Sequence, residues 1–128
     1  MIRRFAALLS LAALTTVASA DDSNACESNL TVADLPAAMG GDLRIQPVHS
    51  PTGFRGWRVY GTDTSTQLTA HGIGQGSLIT QVCGVAAREI ESGGGRICCS
   101  VDASREFEVR FQVADQERTV LIIRPLTP

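Results

Sequence analysis

Gly56–Gly84 reads GWRVYGTDTSTQLTAHGIGQGSLITQVCG. Glycines punctuate the stretch, and apolar residues alternate inside it. Gly56–Gly61 predicts a strand with Trp57 and Val59 on one face. Thr62–Thr66 predicts a polar loop holding helix N-cap candidates. Gln67–His71 has room for one helical turn, stopped by Gly72. Gly72–Gly76 is a glycine-spaced turn, and Ser77–Cys83 is a second strand ended by Gly84. The unit is therefore strand, loop, short helical turn, tight turn, strand.

Upstream, Asp42–Val48 alternates, with Leu43 and Ile45 on one face and Arg44 and Gln46 on the other, as in a half-buried strand. Pro47 cannot donate to a ladder, which predicts an edge position. His49–Gly53 is a turn cluster. Residues 21–40, ending at Gly40–Gly41, show no period and read as a linker with one anchoring cysteine, Cys26. A short turn could start at Thr31. Asn29-Leu30-Thr31 fits the N-glycosylation pattern, a match more easily explained by chance in a bacterial-looking export context.

Downstream, Ala86–Glu91 is poorly patterned and Ser92–Gly95 reads as flexible. Arg96–Ala103 reads as a short helix with Ile97 and Val101 four apart, although it is β-branched enough for a strand. Arg105–Val113 alternates cleanly: Phe107, Val109, Phe111 and Val113 point in, while Glu106, Glu108, Arg110 and Gln112 point out. Ala114–Glu117 is a turn. Thr119–Ile123 is a continuous apolar run, predicting a central strand covered on both faces. Pro125 closes the domain. The inventory is about five strands and one or two short helices, an α+β, mostly β class that fits a small, partly open barrel.

The chain opens MIRRFAALLSLAALTTVASA. A basic start, an uncharged apolar run and Ala18-Ser19-Ala20 lay out a secretory signal peptide over residues 1–20. A spanning helix needs about 20 apolar residues, and this run is shorter. The protein is thus expected in the periplasm or secreted, and at a membrane only if the signal stays uncleaved. Removing 20 of the 128 residues leaves 108, enough for one modest core. It also leaves nine basic residues, all Arg, against 13 acidic ones. An acidic domain with no basic block offers no footprint for nucleic acid. The lack of Lys excludes Schiff-base chemistry.

Cys26, Cys83, Cys98 and Cys99 all lie in the exported part, which predicts two disulfides. A bridge between adjacent Cys98 and Cys99 would be strained. One is therefore expected to pair with Cys83 and the other with Cys26. The rival reading is one bridge and two buried thiols.

Catalytic motifs do not assemble. Ser77 lies in GQGSL, outside the nucleophile-elbow pattern. A Ser77/His71/Asp63 set exists only on paper. Gly72-x-Gly-x-Gly76 precedes a strand, whereas phosphate binding needs a helix there. The histidines and cysteines lack zinc spacing. Glu106 and Glu108 share a solvent face, as do solubilising carboxylates. The expectation is no enzyme, no metal and no cofactor.

The order of Leu43–Val48, Gly53–Tyr60, the Gly72-Ile-Gly-Gln-Gly76-Ser77 turn, Cys83–Gly84 and the hairpin from Glu106 to Arg124 resembles a bacterial PDZ domain. It is most similar to the C-terminal PDZ domain of type II secretion system protein C. The resemblance covers residues 41–125 and implies a PDZ-like, partly open five-stranded barrel. It departs from the family pattern at Ser77, usually Asp, and at Cys83, usually Asn. It implies binding of a protein or peptide by β-strand addition, with secretion substrates or secretion-system components as partners. The implied groove uses Gly41, Leu43, Arg44 and Ile45, walled by Ile97 and Val101 on a helix. The competing expectation is a small disulfide-stabilised regulator or inhibitor of another extracytoplasmic enzyme, acting through Ser92–Gly95.

Overall fold

The computed structural model describes residues 26–125. The signal segment, its cleavage site and the first residues of the expected linker lie outside the described residues. Two antiparallel sheets carry the fold. Strand β1 (Ser28–Thr31) pairs with β6 (Arg96–Cys99) in a two-stranded sheet. The second sheet has six strands: β2 (Arg44–Ser50), β3 (Gly53–Tyr60), β4 (Ser77–Val82), β7 (Glu106–Val113) and β8 (Gln116–Ile123) in spatial order, with β5 (Val85–Ala86) on β4. The helices are short: α1 (Leu35–Met39), α2 (Thr66–Ala70) and α3 (Ala87–Ser92). The class is α+β and mostly β, as expected. The larger sheet does not close into a barrel, because β2 and β8 stand at its two ends.

The Gly56–Gly84 unit folds as its sequence predicts. Trp57 and Val59 are buried on β3. Ser65 caps α2, its hydroxyl accepting from Leu68 N, and Leu68 enters the core. Gly56 adopts φ +142°, and a Cβ there would collide with the Ile79 carbonyl. A side chain at this position would push β3 off β4. On β7, Phe107, Val109 and Phe111 are buried as the alternation required.

Four expectations are corrected. Residues 28–40 are not a linker. After β1, Asp34 accepts from the N–H and hydroxyl of Thr31, each at 3.0 Å, and α1 buries Leu35, Ala38 and Met39. Elements of four and five residues are too short for either periodicity to show. Second, Arg96–Cys99 is a strand, not a helix. Its pairing with β1 sets Leu30 opposite Ile97 and buries Ile97 and Cys99 on one side. The helix lies earlier, in the unpatterned Ala87–Ser92, where Ala87 and Ile90 face the core. Third, Ser92–Gly95 is bonded at the helix end: Gly94 N donates to Glu91 O and Gly95 N to Ile90 O, at 3.1 and 2.9 Å. Gly95 O in turn accepts from Val32 N at 2.9 Å. Fourth, β8 is an edge strand. Val120 and Ile122 are buried, while Leu121 and Ile123 are exposed. A pure apolar run hides which of its two faces meets solvent.

The disulfides are Cys26–Cys98 and Cys83–Cys99. Neighbours on a strand point to opposite faces, so adjacent cysteines on β6 serve two different bridges. Cys99 reaches inward to Cys83 at the end of β4, and Cys98 reaches outward to Cys26. Both bridges fit an oxidising, extracytoplasmic compartment. Among the described residues, no helix is long and apolar enough to cross a membrane.

Candidate functional site

The expected groove residues do not come together. Leu43 is in the core and Ile45 packs against it, on or beside β2. Ile97 is fully buried on β6, in the other sheet. Val101 lies beyond β6 and is 61% exposed. Gly41, at φ +82°, has its Cα against the Thr64 backbone, where a Cβ would come within 2.7 Å of the Thr64 carbonyl carbon. The neighbouring Asp42 N donates to Thr64 Oγ1 at 2.7 Å. Gly41 is therefore a close-packing glycine that ties β2 to the turn before α2. Arg44 is exposed opposite Tyr60.

The edge position of β2 holds, as Pro47 predicted. The side wall does not, because the helix sits elsewhere: α3 packs beside β3. The β3–β4 ladder runs only from Trp57 to Val59. Gly53 and Phe54 therefore pair with β2 alone, and α3 lies along their other side, while Gly56 abuts the Ile79 carbonyl of β4. Between β3 and α3 is a cleft of about 380 Å³ lined by Phe54, Arg55, Thr80, Arg88 and Glu89 together with Ala86 and Ala87.

Each wall has a local cause. Phe54 is buried and stacked edge-on between His49 at 5.1 Å and Trp57 at 4.9 Å, which fixes the floor. Arg55 is the extra residue where the β2–β3 register shifts between Val48 and His49, and it is exposed. Ala87 and Ile90 hold α3 on the core and leave Arg88 and Glu89 outside. The Arg88 guanidinium lies over Gly53, 3.6–3.7 Å from where a Cβ would stand. Among the described residues the one ion pair is Arg110–Glu117, at 3.6 Å, so Arg55 and Arg88 form none, although the Glu89 carboxylate shares the lining with them. The cleft can thus offer two guanidinium groups, an aromatic floor and unpaired strand backbone. The signals that could have found it were the bulge-prone Arg55-Gly56 step and the Ala87/Ile90 spacing before three glycines.

Two residues of the paper triad are engaged elsewhere. Ser77 Oγ donates to Gly74 O at 2.8 Å, and His71 Nδ1 bonds Gln67 O at 2.8 Å. No group of three potential metal ligands clusters among the described residues. No family model and no curated protein matches this chain.

Proposed function

We propose that this chain is an extracytoplasmic protein-binding module that takes an extended segment of another protein by β-strand addition, in the manner of a PDZ domain. The site is the cleft between β3 and α3. The observation that supports the reading is the half-paired β3: Gly53 and Phe54 have a ladder partner on one side only, and Arg55 and Arg88 line that gap without an ion-pair partner, with Glu89 as its one carboxylate. Backbone pairing supplies affinity in such a complex, and side-chain pockets supply selectivity. Two guanidinium groups select a carboxylate, because arginine meets it through paired N–H donors. The preferred ligand is therefore an extended segment bearing a C-terminal carboxylate or acidic side chains. The motif order shared with the type II secretion PDZ domain supports secretion substrates or the secretin as the source of that segment.

The test is calorimetric titration with a panel of extended peptides, each as a free acid and as an amide. The free acids should bind, and Arg88→Glu should weaken them about tenfold or more, the size of a lost charge-assisted contact. Equal binding of acid and amide forms, with no effect of Arg88→Glu, would rule out this cleft as the site. Crosslinking of the full chain in cell envelopes should recover secretin or exported proteins. Its failure with intact peptide binding would remove the secretion assignment alone.

A further inference from the structure

The opposite end of the large sheet carries a second surface of the opposite charge. Arg124 N donates to Arg105 O at 2.8 Å, so residue 124 faces β7. One residue earlier, Ile123 turns its N–H and C=O away from β7, where Gln67 bonds both. Alternation along a strand then turns the N–H and C=O of Leu121 and Thr119 outward as well. No partner for them is found among the described residues. The other edge, β2, is blunted by Pro47 and by the charge of Arg44, devices that discourage strand pairing. Thr119–Ile123 has no such device beyond the Gln67 cap.

The outer face beside this edge is apolar and acidic together. Val101, Leu121 and Ile123 are the large apolar side chains exposed among the described residues, at 61%, 44% and 52%. Val101 and Leu121 line a groove of about 520 Å³ with Asp102, Glu106, Glu108 and Cys83. Glu108 stands opposite Leu121 and Glu106 opposite Ile123 in the β7–β8 register. Neither glutamate has an ion-pair partner among the described residues. The basic groups nearby are Arg110, opposite Thr119 and paired with Glu117 at 3.6 Å, Arg105, whose charge acts on Asp102, and Arg124, whose Nη1 donates to Ala103 O at 3.1 Å.

We propose that β8 is a docking edge for a cationic strand of a partner protein, which pairs with Thr119 and Leu121 and extends Lys or Arg side chains across Leu121 to Glu106 and Glu108. Charge decides the occupant. A second copy pairing through its own β8 would present Glu117, Thr119, Leu121 and Ile123 on that face, with no cation among them. A partner strand with basic residues at alternate positions neutralises both glutamates, while its aliphatic stems cover Leu121 and Val101. This surface is separate from the β3–α3 cleft and takes ligands of the opposite sign.

The probe is a fluorescent peptide alternating Arg and Val, titrated into the full chain and read by anisotropy. It should bind, and a Glu–Val counterpart should not. Glu106→Gln with Glu108→Gln, both at exposed sites, should weaken it about tenfold, the loss of two exposed charge pairs. Methylating the backbone nitrogens on the pairing side of the peptide should abolish binding. Equal binding of the methylated peptide would overturn strand pairing. Indifference to the double variant would overturn the acidic readout. A Leu121-dependent dimer in sedimentation would replace the partner strand with a second copy.

Discussion

The Gln67 side chain binds Ile123 as a neighbouring strand would: Nε2 donates to the Ile123 carbonyl at 2.9 Å, and Oε1 accepts from the Ile123 N–H at 2.9 Å. The same Nε2 donates to Met39 O at 3.0 Å. One amide thus joins the end of α1, the first turn of α2 and the exposed edge of β8. Replacing it with Ala leaves two edge groups to water and loosens α1. We expect Gln67→Ala to cost about 1–3 kcal/mol in urea unfolding. Gln67→Glu, which keeps the acceptor and loses the donor, should fall between the two. A Gln67→Ala protein as stable as the parent would show that water serves these groups equally well.

Gly56 and Gly74 separate two reasons for a glycine. A Cβ on Gly56 would enter the Ile79 carbonyl at a positive φ, whereas one on Gly74 meets nothing within 4 Å. Gly56→Ala should destabilise by about 2 kcal/mol or more, from backbone strain plus displacement of β3. Gly74→Ala should stay within about 0.5 kcal/mol of the parent. Thermal or urea denaturation of the two variants makes the comparison, and equal losses would contradict the close approach of β3 to β4.

How much of this was legible in the sequence depended on element length and on partners. Strands β3 and β7 are long enough for alternation to reveal their inner faces, and the glycines around α2 bounded it. The helix α3 has no Ser, Thr, Asp or Asn cap, since Ala86 stands there. Its six residues give the period only Ala87 and Ile90 to work with. Helix and strand at Arg96–Cys99 differ little in propensity. The neglected clue was Cys98 beside Cys99. Bridges to two distant cysteines require side chains on opposite faces, as a strand supplies. The candidate cleft was out of reach because it depends on where the β3–β4 ladder stops, a tertiary fact. Apolarity also misjudged Thr119–Ile123, because composition cannot tell a covered face from an exposed one.

The two bridges should part kinetically. Cys26 and Cys98 are exposed, whereas Cys99 is fully buried and Cys83 half-buried. Thiolate attack needs access to sulfur. Mild reduction of the native protein followed by alkylation and mass mapping should therefore label Cys26 and Cys98 first. The Cys83–Cys99 bridge should open only under denaturing conditions. Labelling of Cys83 and Cys99 at the same rate would mean that β6 opens from the core as readily as its outer face meets solvent. Loss of the Cys26–Cys98 link releases a closure spanning 72 residues, worth about 2–4 kcal/mol.

Asp102 gives a pH dependence with a defined sign. The Ser104 N–H donates to its Oδ1 at 2.9 Å, and Ser28 Oγ reaches the same oxygen at 3.4 Å. These donors, led by the Ser104 backbone and then its hydroxyl, hold the carboxyl below the ordinary aspartate value of 3.8, with Arg105 adding to the effect. Ser28 Oγ also accepts from Ala103 N at 2.9 Å, so the charged form fastens the loop after β6 to β1. A depressed folded pKa contributes stability above the unfolded value and loses it as pH falls through the folded value. Unfolding curves recorded on the acid side of pH 4 should therefore converge for the parent and Asp102→Asn, and separate above it with the parent more stable. In carbon-detected NMR the Asp102 carboxyl should titrate below the ordinary value and move toward it in Ser28→Ala. An Asp102 midpoint at or above 3.8, or a parent–variant gap that widens toward low pH, would mean that these hydrogen bonds do not favour the ionised carboxylate in solution.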